Sequence, residues 1–302
     1  MGFFAARFNR AGQDGADAFG AARGYDRGGS SQGGGWAMAK SLIFVAALAA
    51  FALALCILLA GPGARFGVWD YSAGLKIIRT VSAPAPLAGG VSLSPIFTVA
   101  ALAFIGAVVA LALRWFSLAP IALVAALAAG AAGMVPVKMK QAVEANPFIH
   151  DITTDFANPP AILAAADLPR KNPPEYLGDA AAPNSDGLTV REAQANAFPD
   201  IAPLRVSMSL ADATARAKGV VEDMGMEILA EGPGGGAVGD GWRIEAVYTS
   251  VWFGFKDDFI VRLKQEGEQV RIDLRSKSRV GGSDLGANAA RVREFVTRFN
   301  GA

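Results

Sequence analysis

The chain has 302 residues, of which 52% are hydrophobic and 18% charged, and its mean hydropathy is +0.33. This composition argues against a wholly water-soluble protein and predicts that part of the chain lies in lipid. The net charge of +1 provides no global basic field, so we expect no nucleic acid partner. The single cysteine, Cys56, excludes an internal disulfide and a cysteine-rich metal site.

Residues 1–40 are rich in glycine and mildly basic, and they contain no sustained apolar period. Burial therefore cannot offset the entropy that is lost when such a backbone becomes ordered. We predict that this segment is a disordered tail ahead of the membrane region.

Three apolar runs lie within residues 41–137, which we predict to be a bundle of three transmembrane helices. The runs cover residues 42–59, 96–113 and 118–135. At about 1.5 Å per residue each run nearly crosses a hydrocarbon core. A short segment beginning at Arg114 joins the last two runs into a helical hairpin. A signal peptide is the alternative for the first run, which begins unusually far from Met1 for such a segment.

Small residues recur at four-residue spacing in the third run, as Ala126 with Gly130 and Ala129 with Gly133. Residues of this size let helix backbones approach closely in lipid. The pattern favours a compact bundle, and a dimerisation face is the alternative.

Residues 66–94 connect the first two runs and contain Trp69, Tyr71 and a stretch rich in proline and glycine. We expect an exposed loop near the membrane interface. A short interfacial helix over residues 69–80 is the alternative, since apolar residues there alternate irregularly with Lys76 and Arg79.

Three spans put the two ends of the protein on opposite sides of the membrane. If the basic tail and Arg114 are cytoplasmic, the protein is a multi-pass protein of the inner membrane with its C-terminal domain in the periplasm. The opposing loops carry Arg65, Lys76, Arg79, Lys138 and Lys140, so the positive-inside count alone does not decide the orientation.

Residues 138–204 hold more than half of the chain's 16 prolines, together with several turn signals. We predict an extended connector, parts of which pack on the last domain. The connector contains His150, Asp151 and Asp155, and a histidine beside carboxylates could bind a metal or transfer a proton. A single histidine without recognised metal spacing favours a surface hydrogen-bonding role instead, and we predict no metal and no cofactor.

Residues 205–302 are predicted to be a small α+β domain with an antiparallel sheet and flanking helices. A helix begins at Ser209, and three segments with period-two alternation follow, the last two joined by a polar turn at residues 265–268. Ser283 or Asp284 is expected to cap a final helix that presents Arg291, Arg293, Glu294 and Arg298 to water.

Two stretches of this domain resemble a known family. Residues 253–258 read FGFKDD, and residues 275–288 read RSKSRVGGSDLGAN. They resemble the domain of unknown function family 1499, over roughly residues 145–300. The resemblance implies no reaction, cofactor or catalytic residue. Bacterial members often look exported or membrane-anchored, which implies a C-terminal domain outside the cytoplasm.

The second stretch also contains the candidate ligand site. Its members are cations, hydroxyls and a carboxylate near a helix start, where backbone N–H groups attract anions. The candidates are Arg275, Ser276, Ser278, Arg279 and Asp284. The alternative is a structural brace, in which the two arginines pair with Asp257, Asp258 and Asp284.

Two hypotheses for function follow. The first is a binding or scaffolding module at the cell envelope, whose partners are the lipid bilayer and another envelope protein or an anionic lipid head group. The second is an envelope enzyme that uses His150 and the loop over residues 275–284. A cavity joining His150 to Arg275 would favour the enzyme, whereas an exposed apolar patch would favour a partner.

Overall fold

The computed structural model describes residues 29–86, 92–233 and 241–301, so the part of the predicted tail over residues 1–28 lies outside the described residues. The first helix, α1, is Gly29–Arg65. It begins well before the first apolar run, so the prediction of disorder is wrong for residues 29–40. Once nucleated, a helix extends by one hydrogen bond per residue at little further cost.

The predicted helical hairpin is present as α3 (Pro95–Ala112) and α4 (Leu118–Ala145). The second of these helices continues through Pro136 and ends well beyond the predicted apolar run. By length and composition, three helical segments are suited to crossing a membrane. These are Gly34–Arg65, Pro95–Ala112 and Leu118–Ala145.

The three long helices pack through alanine, and their large apolar side chains point outward. Ala50, Ala103 and Ala129 are fully buried, whereas Phe104 and Leu127 are 52% and 63% exposed. This inverts the arrangement of a soluble core and fits a bundle whose solvent is lipid.

Small residues of α4 pack inside this bundle. Ala126 and Ala129 are buried within it, and a Cβ added at Gly133 would lie 2.8 Å from the Phe97 ring. Gly130 faces open space.

The segment between the first two spans is mostly helical, so the expected loop is wrong and the alternative, a short helix, is the one that forms. Helix α2 is Tyr71–Ser82, and the Asp70 side chain caps it by accepting a hydrogen bond from the N–H of Ser72. Strands β1 (Ala85–Pro86) and β2 (Ser92–Leu93) pair after it.

The C-terminal region contains the predicted antiparallel sheet. Its strands are β3 (Asp151–Thr153), β4 (Leu204–Val206), β5 (Glu227–Pro233), β6 (Gly241–Thr249), β7 (Lys256–Glu266) and β8 (Gln269–Ser278). The order is β3-β8-β7-β6-β5, and β4 also pairs with β8. The α+β class is therefore confirmed, and the connector contributes β3 and β4 to the sheet.

Three helices accompany the sheet. They are α5 (Val190–Ala197), α6 (Leu210–Asp223) and α7 (Ala287–Phe299). Ser209 caps α6 as predicted. The N-cap of α7 is Gly286 in the left-handed conformation, and not Ser283 or Asp284. The carboxylate of Asp284 nevertheless accepts hydrogen bonds from the N–H groups of Gly286 and Asn288, at 2.8 and 3.0 Å.

Alternation along the strands separates two layers. The face that carries Phe259, Val261 and Leu274 packs against α6 and α7 and forms the main core. On the opposite face Ile260 packs against Ile162 and Ala165 of the connector. The sheet is thus covered on both sides.

Candidate functional site

An apolar cluster joins the C-terminal region to the membrane helices. We call it the junction cluster; its buried members are Ala60, Ile78 and Phe253, and Ala64, Tyr71, Leu75, Ile77, Met139, Trp252 and Phe255 pack against them. The cluster contains the ends of α1 and α4, helix α2, and the loop over residues 250–255 between β6 and β7. The sheet is therefore held directly against the membrane helices.

Glycine allows the helices at this junction to approach closely. A Cβ at Gly74 would lie 2.5 Å from the carbonyl oxygen of Ala60 and 2.9 Å from the ring of Phe253. A Cβ at Gly61 would lie 2.4 Å from the indole of Trp252. Any larger residue would push α2 or the loop away from α1.

One hydrogen bond at the junction replaces a bond that α1 itself cannot make. Pro62 has no N–H, so the carbonyl of Leu58, four residues earlier, lacks its helical donor. The indole N–H of Trp252 donates to that carbonyl at 3.2 Å. Nearby, the Arg65 guanidinium donates to the carbonyls of Ser250, at 2.8 Å, and Val251.

A cavity of about 590 Å³ lies beside the junction cluster. Membrane-side residues and residues of the sheet region both line it. From the membrane side come Tyr71 and Leu75 of α2 and Met139 of α4, and from the sheet region come Phe148, Phe255, Val280, Leu285, Ala287 and Ala290. The walls are mainly apolar, so the cavity suits a ligand with a hydrocarbon part.

The polar side of the cavity is built on Arg291 of α7. Its guanidinium donates to the carboxylate of Asp257 at 2.8 Å and to the hydroxyl of Ser276 at 2.8 Å, and it lies 4.3 Å from the ring centroid of Tyr248. Asp284 also lines the cavity, and burial raises its pKa. Buried pairs of this kind fix geometry, since either partner alone would be an uncompensated charge.

The family model described as Protein of unknown function (DUF1499) matches residues 151–299. These residues include the sheet from β3 onward and the helices that pack on it. The C-terminal domain belongs to this family. The match confirms the resemblance carried by residues 253–258 and 275–288, and it does not extend to the membrane helices of the chain. Comparison with curated proteins and with solved structures found no match.

The DUF1499 domain buries the two arginines of the predicted ligand site. Arg275 is 1% exposed and donates from Nε and Nη2 to the carboxylate of Asp151, at 2.9 and 2.8 Å. Arg279 is 4% exposed and donates to Asp258 at 2.8 Å. Of the three partners expected for a brace, Arg279 pairs with Asp258, whereas Asp257 and Asp284 lie on the helix side of the sheet.

The remaining predicted ligand residues lie on the helix side of the DUF1499 domain. Ser276 and Ser278 both hydrogen-bond to the side chain of Asn288, at 2.6 and 3.0 Å. Ser278 and Asp284 line the cavity. Neighbouring strand residues point to opposite faces, so the structure divides the five predicted residues between two layers.

The histidine-acid cluster does not converge on one point. Nδ1 of His150 lies 3.3 Å from the carbonyl oxygen of Gly282, and burial lowers the pKa of its imidazole. Asp151 turns towards Arg275 and Lys277, and Asp155 towards Arg262 and Arg271. Neither His150 nor Arg275 lines the cavity. Within residues 29–86, 92–233 and 241–301, no group of three metal-ligating side chains forms a candidate metal site.

The connector is held on the DUF1499 sheet by a buried carboxylate. Glu245 accepts hydrogen bonds from the N–H groups of Leu163, Ala164 and Ala165, and from Arg243. Burial acts to raise the pKa of Glu245, but these hydrogen bonds outweigh it and hold the pKa below its ordinary value. On the same layer, burial raises the pKa of Asp258.

Sequence reasoning missed Arg291, which it placed in water, although this residue is 7% exposed. Its position on α7 contained the signal. Asn288 and Phe295, three residues before and four after it, are buried on the same helix face. The membrane-side residues Leu75 and Met139 gave no signal, because only tertiary packing brings them to the cavity.

Proposed function

We propose that this protein is a membrane-anchored binding module of the cell envelope, which holds an amphiphilic ligand between its DUF1499 domain and the bilayer surface. The observation that supports the proposal most directly is the position of the cavity. Its walls combine an interfacial helix and the end of a spanning helix with the edge of the sheet region. An amphiphile in the bilayer could reach such a site without crossing water.

The size and lining of the cavity agree with this proposal. A volume of about 590 Å³ falls in the range of roughly 300–1,000 Å³ that is usual for small-molecule sites. Apolar side chains form most of the walls, and the polar groups gather around Arg291. This division suits a molecule with a hydrocarbon tail and one polar end.

We further propose that the protein lies in the inner membrane and that its C-terminal domain lies in the periplasm. Three spanning helices would put the domain on the side opposite the N-terminal tail and Arg114. The tail and the turn at Arg114 are basic, and basic segments next to a span tend to remain in the cytoplasm. A phosphatase fused to the C-terminus should be active, and a cytoplasmic reporter at the same point should be inactive.

The ligand hypothesis is tested with the full chain in nanodiscs of a zwitterionic phospholipid. The probe is a long-chain alcohol that carries a photoactivatable diazirine on its tail. After illumination, mass spectrometry of peptides should find adducts at cavity residues such as Met139, Phe148 and Leu285. Adducts at lipid-facing Phe104 and Leu127 report the background from the bilayer.

A matched pair of variants makes the test specific. Ala290→Trp places an indole in the cavity and should reduce the cavity adducts by about tenfold relative to the background, which corresponds to ~1.4 kcal/mol. Thr297→Trp puts the same side chain on an exposed position of the same helix and should change nothing. Equal labelling of the cavity in both variants, or labelling of lipid-facing residues alone, would contradict the proposal.

A further inference from the structure

The cavity lining carries an excess of acidic groups. Among the described residues that line it, the acids are Asp257, Asp284 and Glu294, and Arg291 is the only arginine or lysine. Two of the acids already have cation partners, since Asp257 pairs with Arg291 at 2.8 Å and Glu294 pairs with Arg298 at 2.7 Å. Asp284 has no ion-pair partner within the described ranges.

The cation in the wall is not available to an incoming anion. Arg291 uses Nη2 for Asp257, and it uses Nη1 for the side chains of Ser276 and Asn288. One face of the guanidinium lies over the ring of Tyr248, and the residue as a whole is only 7% exposed. An anionic head group could recruit Arg291 only by breaking its pair with Asp257, which would leave Asp257 as an uncompensated buried charge.

The helix start beside the cavity is also satisfied. The carboxylate of Asp284 accepts hydrogen bonds from the N–H groups of Gly286 and Asn288 in the first turn of α7. A helix N-terminus contributes about half a positive charge, whereas a carboxylate contributes a full negative charge. Ionised Asp284 therefore leaves a net negative charge at this point, and because burial raises its pKa, a cation placed beside it would stabilise that ionised form.

On the assumption that the proposed function holds, we propose that the cavity selects amphiphiles whose head group is a cationic amine. The amine would lie at Asp284, which lacks a counter-ion, and the tail would lie along Leu75, Met139 and Phe255. An alkyl carboxylate would bring a second negative charge to a wall that cannot compensate it.

The experiment uses three diazirine probes with the same tail and with an amine, a hydroxyl or a carboxylate as the head group. Each is added to the full chain in nanodiscs, and the cavity adducts are divided by those at Phe104 and Leu127. This ratio corrects for the different partitioning of the three probes into the bilayer. We expect the order amine, alcohol, carboxylate, with about tenfold between the extremes.

Two variants test the origin of the preference. Asp284→Asn should bring the amine-to-carboxylate ratio close to one. Glu294→Gln removes an exposed acid of the same wall, so it can be read even if Asn at 284 impairs folding, and it should lower the ratio by a smaller factor. Glu268→Gln, at an exposed acid in the turn between β7 and β8 that does not line the cavity, should leave the ratio unchanged.

The outcomes separate this inference from the proposed function. Equal cavity labelling by all three probes, or a preference for the carboxylate, would overturn the inference and leave an amphiphile site in place. An amine-to-carboxylate ratio that is undiminished in Asp284→Asn, or in Glu294→Gln where Asp284→Asn does not fold, would also overturn it. Absence of cavity labelling by every probe would overturn the proposed function and this inference together.

Discussion

Replacing Trp252 by phenylalanine should loosen the DUF1499 domain from the membrane helices without unfolding either part. The substitution removes the indole N–H that donates to the Leu58 carbonyl at 3.2 Å. It retains an aromatic ring beside Phe253, whose centroid lies 4.9 Å from that of the indole. The loss is therefore mainly that of a single hydrogen bond.

The expected loss of docking free energy follows from the surroundings of the Leu58 carbonyl. A typical hydrogen bond contributes about 0.5–1.5 kcal/mol, and leaving a buried acceptor unpaired costs about 1–3 kcal/mol. Trp252 is only half-buried, so the range for a typical hydrogen bond applies and not the range for a fully buried acceptor. We expect a loss of about 1 kcal/mol in the docking equilibrium, which corresponds to an increase of about fivefold in the undocked population.

Hydrogen exchange of the full chain in nanodiscs measures this population. Peptides covering residues 250–255 and α2 should exchange about fivefold faster in Trp252→Phe. Peptides from β8, in the centre of the sheet, provide the control and should be unchanged. Their protection depends on unfolding of the domain and not on its docking.

A double-mutant cycle with Pro62 tests whether the indole replaces the missing helical donor. Pro62→Ala restores a backbone N–H that can donate to Leu58 within α1. In that background Trp252→Phe should cost clearly less than it does in the natural chain. The same cost in both backgrounds, or no effect of Trp252→Phe in the natural chain, would refute the idea that the indole replaces the missing helical donor.

Three further outcomes are expected. Arg291→Met leaves Asp257 buried and unpaired, and urea unfolding should show a loss of about 3–5 kcal/mol; a loss below about 1 kcal/mol would contradict the pairing. Glu245→Gln should expose the connector over residues 155–175 to proteases, whereas Glu268→Gln at an exposed turn should not. Because the folded pKa of His150 is lowered, its contribution to stability is complete above the ordinary value of 6.5 and declines as the pH falls towards the folded pKa. His150→Gln should reduce that decline in thermal scans, and an identical decline in both proteins would refute it.

The architecture could be predicted where a single period governs a whole segment. Runs of alanine and leucine over residues 42–59 and 118–135 carry no charge and are long enough to cross most of a bilayer, so lipid is the environment that they predict. Alternation in β7 and β8 similarly fixes which residues face α6 and α7. Errors occurred at boundaries, as at residues 29–40 and at the cap of α7, where the energies of competing conformations are similar.

The candidate site depended on contacts that are distant in sequence. The brace expected from the sequence paired Arg275 and Arg279 with Asp257, but the pleat sends Asp257 to the opposite layer, where Arg291 meets it. Likewise, the Leu58 carbonyl that Pro62 leaves without a donor is visible in the sequence, whereas the indole that pairs with it comes from residue 252.

Local periodicity thus determined the helices, the strands and the layer to which most side chains belong, because each of these follows from the burial of neighbouring residues. Which buried charge meets which, and where a cavity remains between α2, α4 and the sheet, was decided only by the tertiary structure. These features depend on how separate elements pack, and packing distances of a few ångströms are not encoded in the spacing of residues along any one element.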